Sequence, residues 1–134
     1  MLYFLKKENT LKRNLDLIRD IMLYLEENID PNKPLFPVSK LEDLESDSGI
    51  LNEHIKQLVE NGFIETTKPI YMQGFTIFMD IQRITSNGHD FLDALRDDSV
   101  WNKTKEAVQK AGGFTLNMLV ELGKEYLTKE VGLS

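Results

Sequence analysis

The apolar residues of this chain change their period twice, and that change restricts the folds open to it. From Leu11 to Val59 they recur at steps of three and four, the repeat of an amphipathic helix. From Phe75 to Ile81 they alternate, the repeat of a half-buried strand, and after His89 the helical step returns. The order is therefore helices, a short β region, then helices again. With 134 residues there is material for one core.

Punctuation divides the helical stretches. Leu11, Leu15, Ile18, Met22 and Leu25 form one stripe of a first helix, with Lys12, Arg13, Arg19, Asp20, Glu26 and Glu27 on its remaining surface. Asp30-Pro31-Asn32-Lys33-Pro34 ends it, because proline lacks an amide donor and restricts its predecessor. Ser39 and Glu42 have capping-box spacing and predict a short helix through Leu41 and Leu44. After the polar break Glu45–Gly49, Leu51, Ile55, Leu58 and Val59 mark a longer helix that stops at Asn61-Gly62. Two helices joined by a turn have helix-turn-helix organisation.

Phe63–Thr66 predicts a strand, Thr67–Gly74 a loop, and Phe75–Ile84 a second strand whose alternation fails at Phe78 and Ile84, where a bulge is expected. Thr85 is placed to cap the next helix, and Gly88 allows close backbone approach. Asp97, Asp98 or Ser99 caps a further helix through Val100, Trp101 and Val108. Ala111-Gly112-Gly113 interrupts, and Thr115 caps a last one. The predicted fold is mainly α with a small β-hairpin: a winged helix, helix-turn-helix plus two-stranded wing, extended by C-terminal helices. Residues 1–10 form an apolar and basic leader, 11–96 the winged-helix core, and 97–134 a helical extension packed on the same domain. The leader is expected to fold onto the core or fray, with a dimer contact as the alternative.

Two segments resemble a known family. Leu11–Arg19 and, at greater length, Gly88-His89-Asp90-Phe91-Leu92-Asp93-Ala94-Leu95-Arg96-Asp97-Asp98-Ser99-Val100-Trp101-Asn102-Lys103 are similar to a domain of unknown function, number 2513, of Gram-positive bacteria and their phages. The resemblance extends from Leu11 to about Leu133. It implies a small winged-helix-like phage or prophage protein and supplies no activity, cofactor or catalytic residue.

Chemistry is sparse. There is no cysteine, hence no disulfide and no thiolate metal site. Phosphate-binding glycine loops, nucleophile elbows and zinc-binding helix motifs are missing from the sequence, so no enzyme and no cofactor is expected. Of His89, Asp90, Asp93, Asp97 and Asp98, two or three could share a helix face, but capping and pairing with Arg96 or Lys103 account for them without a metal. His54 is expected to be a structural histidine, and Trp101, Phe91 and Leu95 to be core. Lys6 and Lys7 follow the apolar Met1–Leu5 rather than precede it, and no apolar run nears the ~20 residues that span a bilayer. A cytoplasmic protein with no membrane partner is expected.

Nucleic acid is the remaining candidate partner. The second helix of a helix-turn-helix would offer Ser48, Asn52, Lys56 and Gln57 to the major groove, and Lys68 and Arg83 flank the wing. Yet the formal charge from Ser39 to Asn61 is -4, and the whole chain carries -6. Phosphates supply most of the affinity for DNA, so this surface opposes it. Only Lys6, Lys7, Lys12, Arg13, Lys68 or Arg83 could compensate, if folding gathers them. The expectation is a DNA-binding, transcription-regulator-like protein; the alternative is a protein-binding adaptor on the same fold. Leu119, Leu122 and Tyr126 belong to a wide apolar band on the last helix, the expected face of a homodimer, with closure of the monomer core against the first helix as the alternative.

Overall fold

The computed structural model describes residues 12–68, 70–72 and 75–132, and for 71, 72 and 75–78 the backbone only. The expected leader lies outside the described residues. Within them are five α-helices and a small three-stranded antiparallel sheet.

Helix α1, Leu15–Asn28, begins where Asn14 Oδ1 accepts the Leu17 amide at 3.1 Å. Its stripe of Leu15, Ile18, Met22 and Leu25 is buried, joined by Leu17 and Ile21. Arg19 departs from the expected surface position: it is only 9% exposed. Its Nε donates to Leu95 O at 2.9 Å, and its Nη2 to Arg96 O at 2.6 Å and Asp98 Oδ1 at 2.8 Å.

The chain then makes a strand that the sequence did not announce, β1, Phe36–Pro37. It leads straight into a 3-10 turn over Val38–Leu41. The Ser39–Glu42 capping box does not form. Pairing of Phe36 and Pro37 starts the turn at Val38, so Ser39 lies inside it, and its carbonyl takes the Glu42 amide at 3.3 Å. Helix α2, Ser48–Glu60, starts within the expected break because Asp47 caps it, accepting from the amides of Gly49 at 2.9 Å and Ile50 at 3.1 Å. Gly62, at φ +75°, turns the chain out of the helix.

Strand β2, Ile64–Thr66, pairs antiparallel with the second half of the expected hairpin, as the sequence predicts. That second strand is divided, however, at Met79. The loop before it contains β3, Ile70–Met72, which pairs with β4, Phe75–Phe78; β5, Asp80–Ile84, then enters the main sheet between β1 and β2. The register runs Glu65 to Arg83 and Thr66 to Ile81, skipping Gln82. This bulge lets both Ile81 and Ile84 reach the core although three positions separate them.

Helix α3, Ser86–Leu95, is capped by Thr85, whose Oγ1 accepts the Gly88 amide at 3.0 Å. Helix α4, Asp98–Ala111, is capped by Asp97 and closed by Gly112 at φ +77°. Helix α5, Leu116–Glu130, is capped by Thr115. One buried cluster runs from Leu15 to Val120 and includes Phe63 and Phe91, their rings 5.3 Å apart. Trp101 is in it, with Nε1 donating to Asp16 Oδ1 at 2.9 Å.

Candidate functional site

The outward side of α2 carries the predicted contact residues. Ser48 is exposed, and Asn52, Lys56 and Gln57 are half-buried. Gln57 Oε1 accepts from Arg13 Nε at 2.6 Å, so Gln57 faces the start of α1. Glu53 and Glu60 lie on the same exposed side, Asp47 caps the first turn, and Glu42 and Asp43 are exposed a few residues before it. Lys68 is exposed beyond β2. Arg83 is matched by its cross-strand neighbour: Nε and Nη2 donate to Glu65 at 3.0 and 3.1 Å. That pair raises the Arg83 pKa and lowers that of Glu65. Folding therefore leaves the front of α2 acidic.

The remaining candidates resolve into structure. His54 is 1% exposed and joins two helices. Its Nε2 accepts the Asn14 amide at 2.9 Å while Nδ1 faces Ile50 O at 2.8 Å, which fixes the Nδ1–H tautomer. In the aspartate group, Asp97 caps α4, Asp98 pairs with Arg19, and Asp93 pairs with Arg96 at 3.3 Å. Lys103 instead meets Glu130 at 2.6 Å. Among the described residues no three His, Asp or Glu side chains form a group that could hold a metal ion.

The expected dimer face is largely an internal one. Leu119 is completely buried, whereas Leu122 and Tyr126 are half-buried. Gly123 serves close approach within the chain, because a Cβ there would lie 2.5 Å from Leu95 Cδ2 and 3.3 Å from Ala94 O. Helix α5 thus seats on α3, and Leu119 is not available to a second copy.

Two surface depressions meet at Val108 and Phe114. One, about 630 Å³, lies between α4 and α5 and is lined by Ala107, Ala111, Met118 and Leu122. The other, about 680 Å³, lies between the start of α1 and α4 and carries Lys12, Arg13, Lys105 and Asp16. Lys105 Nζ donates to both Asp16 oxygens, at 3.0 and 3.1 Å. Arg13 also stands over the Phe114 ring, 5.8 Å from its centre. Lys105 escaped the sequence analysis because only the packing of α4 on α1 brings it to Arg13.

Asp16 gives this corner a pH signature. Burial alone would raise its carboxyl pKa, but hydrogen bonds from Trp101 and Lys105, with the charges of Lys105 and Arg19, hold it below 3.8. The ionised form therefore stabilises the fold above 3.8, and that contribution fades as pH falls through the lowered value. Asp16→Asn is expected to lower stability at neutral pH slightly, by less than about 1 kcal/mol because its partners are partly solvated. It should also flatten the acid limb of stability below about pH 4. Thermal melts across that range check both, and an unchanged acid limb contradicts the assignment.

Residues 12–114 match the family described as Hypothetical protein (DUF2513). The chain belongs to the DUF2513 family. An uncharacterized protein of Haemophilus influenzae, strain Rd, is 32% identical over 99 residues, covering 74% of this chain and 80% of the relative. No solved structure gives a significant match. The DUF2513 match begins at the basic corner and ends at Phe114, so it contains α1 to α4 and β1 to β5. Helix α5 lies beyond it, short of the extent the sequence resemblance implied. No helix among the described residues is long and apolar enough to cross a membrane.

Proposed function

We propose that this DUF2513 chain is a non-enzymatic winged-helix module that binds double-stranded DNA, in the manner of a phage or prophage transcription regulator. One observation carries the proposal. Helix α1, β1, the 3-10 turn, α2 and the strands follow one another around a sheet ordered β1-β5-β2, and α2 turns outward a polar face that the core does not use. That order supports a winged helix, and DNA binding follows from it by analogy of fold. A two-fold DNA site would require a homodimer; with Leu119 buried, Leu122, Tyr126 and the exposed Met118 remain for it.

A second function is favoured by charge: an adaptor that binds protein through the same module. The acidic front of α2 and the apolar depression between α4 and α5 both suit it.

An electrophoretic shift assay with DNA from upstream of the gene separates the two. DNA binding predicts retardation at about 50 mM salt that is lost by about 200 mM, with Lys56→Glu weakening it further. No retardation at the lowest salt leaves the adaptor.

A further inference from the structure

We propose that the nucleic-acid backbone is gripped where the start of α1 meets α2 and α4, by Lys12, Arg13 and Lys105, and not at the N-terminal end of α2. This rests on the DNA-binding function proposed above and says where its electrostatic hold lies. The N-terminal end of α2 is a poor place for phosphates: Asp47 caps it, and Glu42 and Asp43 stand exposed beside it. Arg83, the cation of β5, is matched one for one by Glu65, so the pair adds no net positive charge.

The other end of the surface differs. The lining of the depression between α1 and α4 has three cations and one carboxylate, Asp16, with the opposite charges of Asp20 and Arg19 close behind it, in a chain of -6. Arg13, just before α1, and Lys105, on α4, are held rather than trailing. Arg13 is fixed by Gln57 and by the Phe114 ring, Lys105 by Asp16 and, at 6.0 Å, by the Trp101 ring. Only the Nε of Arg13 is used by Gln57, and a guanidinium has further donors whose fork suits a phosphate. Lys12 is exposed at the rim. The Arg13–Gln57 bond makes this corner continuous with the side of α2 beside Lys56. A backbone passing Lys12, Arg13 and Lys105 meets three cations and stays clear of Asp47 at the N-terminal end of α2.

The test is fluorescence anisotropy of a labelled random-sequence duplex of about 30 base pairs, measured over a salt series for the full chain. Each lysine that holds a phosphate contributes about 0.9 to the slope of log affinity against log salt, and its loss weakens binding roughly tenfold near 0.1 M. Lys12→Gln and Lys105→Gln are each expected to lower the slope by about 0.9, and the double variant by about 1.8. Lys110→Gln, also on α4 but outside the depression, should change neither slope nor affinity. Lys105→Gln disturbs the contact with Asp16, so melts accompany it; Lys12→Gln alone decides if that variant is unfolded. A wild-type slope in the Lys12 variants overturns the inference while DNA binding stands. A wild-type protein that binds no duplex at the lowest salt overturns both.

Discussion

Gly88→Ala is expected to destabilise the protein by at least about 3 kcal/mol. A Cβ on Gly88 would lie 2.1 Å from the Phe63 carbonyl oxygen, 2.7 Å from Ile84 Cγ2 and 3.1 Å from Met22 Cε. Overpacking by a methyl group ordinarily costs about 1–3 kcal/mol because side chains give way. Here the nearest obstacle is backbone, and the same Phe63 carbonyl accepts the Thr85 amide at 3.0 Å. Relief would have to separate α3 from the start of β2 or break that bond. Against a total stability of about 5–15 kcal/mol, the loss is a large fraction. Urea unfolding measures it, with Gly113→Ala as the comparison: nothing lies within 4 Å of a Cβ there, and the expected change is under about 0.5 kcal/mol. Equal midpoints for the two variants would refute the close approach.

Arg19→Ala should destabilise by about 2–4 kcal/mol. Arg19 closes the last turn of α3 from a distance, donating to the Leu95 and Arg96 carbonyls, and its guanidinium packs 5.4 Å from the Trp101 ring centre. The pair with Asp98 adds little, since that carboxylate is 89% exposed. The weight rests on the carbonyls, of which Leu95 O is met by a buried bond. Leaving a buried acceptor unmet costs about 1–3 kcal/mol. Arg19→Lys has one ammonium for two carbonyls and should recover less than half of the loss. Full recovery by lysine in chemical unfolding would show that only charge matters at this position.

These two residues differ in how far the sequence reveals them. Gly88 was legible, because Thr85 three positions earlier names the cap and a glycine inside the first turn of a helix needs a reason. The caps Thr85, Asp97 and Thr115 were legible for the same local cause: a side chain reaching an amide three residues on is a matter of spacing. Arg19 was not. A lone arginine among apolar residues has the spacing of a surface position, and its acceptors lie 76 and 77 residues away. Strand β1 was hidden by its size, two residues of which one is proline, tolerated because β1 lies at the sheet edge. The Ser39–Glu42 box had the right residues at the right interval, yet the sheet pairing of Phe36 and Pro37 set the start of the turn instead.

At the candidate surface, the residues of α2 could be read because a helix fixes which positions share a face. The balance of charge around them could not. Arg83 is neutralised by Glu65 through strand register, and Lys105 joins Lys12 and Arg13 through helix packing. The apolar band of α5 is legible as apolar, but whether a second copy or the chain itself covers Leu119 is not. Gly123 against Leu95 makes it the chain itself.

The position of β5 between β1 and β2 also sets a timetable for the nascent chain. The central strand is the last of the three to be synthesised, so Phe36 and Ile64 have no sheet to join until Ile84 has emerged. Helix α1 waits longer, since the carbonyls that Arg19 serves belong to Leu95 and Arg96. At about 5–20 residues per second, the apolar stripe of α1 stays uncovered on the ribosome for several seconds after the helix itself is complete. During that interval it is a target for chaperones, and the chain closes only when its second half arrives.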